Sequence, residues 1–116
     1  AWNGSTETAR TLTGAMSILT DIHEVLVVTV EGASVSGPAG EDVCRHLNAS
    51  GISSTARTID HSGCSVGQAL MEAADKFSAD LIIKGAFTHS RLRQLIFGGP
   101  TSELINSSTV PILLSH

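Results

Sequence analysis

Tyrosine is absent from this chain of 116 residues, and one tryptophan and three phenylalanines complete its aromatic set. A platform on which single-stranded nucleic acid stacks its bases needs more than that. Basic residues are also scarce: seven Lys and Arg stand against eleven Asp and Glu, a formal charge of -4. No basic surface is available to neutralise a phosphate backbone, which excludes nucleic acid as a main partner. No apolar run approaches the roughly 20 residues that span a bilayer, and the N-terminus shows no basic segment followed by an apolar stretch. The expectation is a soluble, cytoplasmic protein without membrane association. Cys44 and Cys64 have neither C-x-x-C spacing nor the density of a disulfide scaffold, and both are read as free thiols. His23, His46, His61, His89 and His116 contain no H-x-x-x-H pair or Cys/His cluster, so no metal site is expected. G-x-S-x-G, Walker and G-x-G-x-x-G motifs are missing too. Asp60-His61-Ser62 holds the letters of a catalytic triad, but adjacent residues rarely point at one another as a proton relay requires, and the sensible reading is a loop.

What is present alternates between two periods. The length allows one domain, residues 1–116, with a single core. Ser5 is a good N-cap, and Ala9, Leu12, Ala15, Met16 and Leu19 recur at helical spacing, predicting a helix from about Thr6 to Leu19. Val25 to Val30 (VLVVTV) reads as an interior strand buried on both faces. Pro38 suits the first turn of a helix that carries Val43, Cys44 and Leu47 inward before Gly51 stops it. Ile52 to Ile59 is a weakly apolar strand most comfortable at a sheet edge. Val66, Ala69, Leu70, Ala73, Ala74 and Phe77 keep a helical period before the strand Leu81 to Lys84. Leu92, Leu95 and Ile96 suggest a short helix, and Pro100 fits the first turn of another that ends near Ser107. The last strand tolerates Pro111 only at its start or at an edge. Strands alternating with helices imply a parallel sheet with right-handed crossovers and helices on both faces.

The richest stretch is Asp80 to Ile105, DLIIKGAFTHSRLRQLIFGGPTSELI. Its apolar run ends at Gly85, and Gly98-Gly99 opens a helical segment. Open α/β sheets place ligands at the C-terminal ends of their strands, and a helix start with glycine lets backbone N–H groups approach an anion. Two readings of these glycines stand side by side: a phosphate cradle, or turns that need no side chain. Lys84 ends a buried strand where an apolar residue would be ordinary, so it faces a ligand cleft or snorkels to solvent. Arg91 and Arg93 are read as surface charges on a short helix, the alternative being that they reach a polyphosphate.

The stretch resembles the universal stress protein family, whose ATP-binding members carry G-x(2)-G-x(9)-G-[ST]. Here Gly85, Thr88, Gly98 and Gly99 occupy the pattern, with Thr88 in place of a glycine and Gly99 in place of Ser or Thr. Asn3-Gly4-Ser5 is similar to the family's D-G-S segment, with Asn for Asp, and Ser108 to Leu114 is similar to its last strand. The resemblance covers nearly the whole chain. It implies a Rossmann-like, five-stranded parallel sheet of order 3-2-1-4-5, with the first strand largely missing from this chain, so the natural protein is expected to continue upstream of Ala1. The Trp2-Asn3-Gly4-Ser5 wording is similar to the C-terminal half of tandem universal stress proteins. The resemblance further implies a stress-response role without enzymatic activity beyond slow ATP hydrolysis. ATP or another adenine nucleotide would be held by Asn3, Val30, Gly85, Thr88, Gly98, Gly99 and Thr101. It also implies a homodimer or pairing with a second such domain. The alternative is a dimerising regulatory module of the same family that binds no nucleotide.

Overall fold

The computed structural model describes residues 1–86 and 99–116. Thr88, Gly98, the basic residues Arg91 and Arg93, and the helix expected around Leu92 to Ile96 lie outside them. Helix α1 spans Thr6–Leu19 and strand β1 Val25–Val30; α2 (Gly40–Ala49), β2 (Ser54–Ile59), α3 (Val66–Phe77), β3 (Ile82–Gly85), α4 (Pro100–Ser107) and β4 (Ile112–Ser115) follow. Local chemistry explains most of the boundaries. The Ser5 hydroxyl accepts from Thr8 N at 3.2 Å and starts α1. At α3 the Ser65 hydroxyl accepts from Gln68 N at 3.1 Å while Ser65 N donates back to Gln68 Oε1 at 3.2 Å, a reciprocal capping box. Pro100 occupies the first turn of α4. Gly51 takes a φ of +82°, a left-handed conformation that a Cβ disfavours, and ends α2.

Two expectations are corrected. Pro38 stands before the N-cap Ala39 and outside α2; its carbonyl instead accepts from the buried Trp2 indole N–H at 2.8 Å. The inward stripe of α1 is Thr8, Thr11, Ala15 and Leu19, whereas Ala9 is exposed. Threonine can line a core when its hydroxyl is satisfied. Thr11 Oγ1 lies 2.7 Å from Glu7 O and 3.2 Å from Ser115 O, and Thr8 Oγ1 donates to Asn3 Oδ1 at 2.5 Å.

The strands pair in parallel as β1 with β2, from Val25↔Ser54 to Val30↔Ile59, and as β3 with β4, from Ile82↔Ile112 to Gly85↔Ser115. The first residues of the chain lie between the two pairs: Trp2 N donates to Val28 O of β1 at 2.8 Å, and Ala1 N to Ile83 O of β3 at 2.6 Å. Period-two alternation then sorts the core into two layers. Val27 packs with Trp2, Ala15, Leu19, Val43 and Leu47 under α1 and α2, and Ile83 and Leu113 join that side. Val28, Val30 and Ile82 pack with Leu70, Ala73 and Leu104 under α3 and α4. Helices therefore cover both faces, as the alternation of elements implies. A cavity of about 440 Å³, lined by Leu26, Val28 and Ile82 among others, separates β1 from β3.

Candidate functional site

In parallel strands the C-terminal ends of β1 and β3 are Val30 and Gly85, and both border a second cavity, of about 160 Å³. Asn3, Lys84 and Thr101 line it as well. Four of the seven residues expected at a nucleotide site (Asn3, Val30, Gly85 and Thr101) thus meet at one cavity, although they are far apart in sequence. Gly99 does not line it but is the N-cap of α4, one residue before Pro100, which does. Thr88 and Gly98 lie outside the described residues.

Each of the four has a structural task. Asn3 Oδ1 accepts from Ser5 N at 3.1 Å and from Thr8 Oγ1, which fixes the turn into α1. Val30 and Thr101 are buried in the layer under α3 and α4. Gly85 allows the closest approach. A Cβ there would come within 2.6 Å of Thr8 N, 2.8 Å of Thr8 Cα and 2.9 Å of Glu7 C, so the first turn of α1 lies directly against β3. Close packing of a helix on a strand is thus a third role for this glycine, beside the two readings of the sequence; Gly85 lies in β3 and not in a turn.

Lys84 also resolves. Alternation along β3 puts it on the side of Ile82, toward α3 and α4, where it is half-buried. Its ammonium donates to Gly85 O at 2.9 Å and to Thr101 Oγ1 at 3.0 Å. Burial holds its pKa below the ordinary lysine value. Sequence reasoning missed Val66 and Leu70 as cavity walls, because their helical spacing signals only an inward face.

The Ala1 ammonium is shielded beside the same strand, and its pKa is lowered from 8.0 to about 5, first by loss of solvent and then by repulsion from Lys84.

The loop candidates do no comparable work. Ser62 N donates to Asp60 Oδ1 at 3.0 Å and Ser62 Oγ to Asp60 Oδ2 at 2.5 Å, while the His61 ring faces Cys64 O at 3.2 Å, so the three residues form a turn and not a relay. Among the described residues no three His, Cys, Asp or Glu side chains converge, and no helix is long and apolar enough to cross a membrane.

Two helical layers on parallel strands, with a cavity at the strand ends bordered by a helix start, define a doubly wound α/β protein with its crevice where such folds hold ligands. A family model described as the universal stress protein family matches residues 5–116, and the chain belongs to that family. A stretch of 47 residues is 36% identical to the stress response protein NhaX of Bacillus subtilis (strain 168). The stretch is 40% of this chain and 28% of NhaX, so the chain matches less than a third of that relative's length. No solved structure matches.

Proposed function

We propose that this chain is a cytoplasmic stress-response domain that binds an adenine nucleotide in the cavity at the ends of β1 and β3. The observation that carries the reading is the meeting of Asn3, Val30, Gly85 and Thr101 around one cavity. Family membership and the stress-response name of the relative support the cellular role. A cavity of about 160 Å³ is smaller than the roughly 300–1,000 Å³ that encloses a drug-sized ligand, so it suits one part of a nucleotide, the remainder lying outward. The bound state, and no catalytic step, is the signal. Calorimetric titration with ATP is expected to show saturable binding that Ala33→Trp, at the cavity wall, removes without unfolding the protein. Absence of ATP binding by the folded chain would leave a dimerising module that binds no nucleotide.

The same reading includes the five-stranded order 3-2-1-4-5, with Ala1 and Trp2 as part of a central strand in the 440 Å³ cavity. A crystal structure with β1 bonded directly to β3 would overturn it. It also includes pairing through β4, with a second copy or with a tandem partner domain. Ile82 N donates to Pro111 O and Ala86 N to Ser115 O, so the alternate residues Ile112 and Leu114 turn their N–H groups to the other edge. Among the described residues that edge carries no strand. An open apolar edge invites pairing. Leu114→Pro removes an outward donor and is expected to convert a dimer to a monomer in sedimentation; an unchanged sedimentation coefficient would exclude this edge.

A further inference from the structure

Lys84 is out of keeping with its surroundings. It sits on the inward side of β3, two residues from the buried Ile82, in a layer otherwise built from Val28, Val30, Leu70, Ala73 and Leu104. Moving an ammonium out of water is costly unless it is paired. The two acceptors it has, Gly85 O and Thr101 Oγ1, are both neutral. Among the described residues no carboxylate comes within ion-pair distance of it. An ammonium has three donors, and these two bonds use two of them.

The cavity beside it has a matching bias. Lys84 is the one ionisable side chain among its described lining residues, and none of them is Asp or Glu. In a chain with a formal charge of -4 this leaves a local positive centre. Apolar walls (Val30, Ala33 and Leu70) together with a cation and a hydroxyl suit a ligand with an apolar part and an anionic part. A half-buried cation in a cleft with neutral partners is a candidate binding group.

We propose that Lys84 is the specificity-determining residue of this cavity: its ammonium, oriented by Gly85 O and Thr101 Oγ1, donates to a phosphoryl oxygen and makes the site selective for phosphorylated ligands over uncharged ones. The proposal rests on the nucleotide reading for the identity of the ligand but not for its charge. Thr101 is a positioning residue, holding the ammonium from the first turn of α4. Methionine at position 84 would fill similar space without charge, and arginine would keep the charge.

The test measures dissociation constants of adenosine, AMP, ATP and inorganic tripolyphosphate for wild type, Lys84→Met and Lys84→Arg, with thermal unfolding of each variant alone as the folding control. Charge-assisted hydrogen bonds lead to an expected loss of about tenfold to a hundredfold for ATP and tripolyphosphate in Lys84→Met, with adenosine unchanged and part of the loss restored in Lys84→Arg. Equal ATP affinity in wild type and a folded Lys84→Met overturns the proposal, as does an equal loss for adenosine and ATP. Binding of tripolyphosphate that depends on Lys84, with no binding of any nucleotide, supports the role of Lys84 and overturns the nucleotide reading. Binding of adenosine alone overturns the role of Lys84 and leaves an adenine site. Binding of none of the four overturns both.

Discussion

Gly85→Ala is expected to cost about 3 kcal/mol or more and to leave little folded protein, although it adds a single methyl group. Overpacking in a core usually costs about 1–3 kcal/mol because side chains can turn aside. Here the atoms within 3 Å of the new Cβ are Thr8 N, Thr8 Cα and Glu7 C, all backbone of the first turn of α1. That turn is pinned by the Ser5 cap and by the Asn3 bond to Thr8, so it cannot retreat locally. Total stability of a domain is only about 5–15 kcal/mol, which makes such a loss severe. Gly40→Ala is the comparison. Its Cβ would meet the Thr29 hydroxyl at 3.2 Å, a side-chain atom able to rotate, and alanine favours the helix by up to about 1 kcal/mol. Thermal unfolding of the two variants checks the contrast. A Gly85→Ala protein with the wild-type midpoint that fails to bind ATP would show that this glycine makes room for ligand and not for α1.

That contrast marks where the sequence stops being readable. A glycine at the end of an apolar run is visible as a place where backbone must come close to something. What comes close depends on which segment folds over it, and α1 starts at Thr6, far from Gly85 in the chain. Periodic elements were legible because their signals are local. The limits of α1, β1, α3 and α4 follow from caps, β-branched runs and Pro100. Thr8 and Thr11 were not legible as core residues, since burial of a hydroxyl depends on acceptors supplied by Asn3, Glu7 and Ser115, the last more than a hundred positions away in the case of Thr11. Pro38 reads locally as a helix opener, yet its carbonyl serves Trp2 from across the fold. Lys84 is the intermediate case. Alternation with Ile82 put it on one of two sides, and only the placement of Thr101 on α4 decided between cleft and solvent.

The position of α4 is held by its buried side chains, Thr101 and Leu104, and by the Ser65 hydroxyl, which donates to Glu103 Oε2 at 2.6 Å. Leu104 is 0% exposed and packs with Val28, Val30, Leu70, Ala73 and Ile82, so it is a peg that fixes the helix to α3 and the strands. Leu104→Ala is expected to destabilise by about 2–5 kcal/mol, since the lost contacts and the cavity left behind add together. At about 4–8 °C per kcal/mol for a domain of roughly this size, the melting temperature should fall by on the order of 10 °C or more. Ile105, the next residue, is 57% exposed, and Ile105→Ala should stay within about 0.5 kcal/mol of wild type. Thr101 lies one turn before Leu104 on the same helical face. Loosening the peg therefore also releases the hydroxyl that accepts from Lys84. In a folded Leu104→Ala protein, studied below its melting temperature, phosphate selectivity should weaken along with stability, whereas Ile105→Ala should alter neither. Equal melting temperatures for the two variants would mean that α4 is held by other contacts and that Thr101 does not depend on Leu104 for its place.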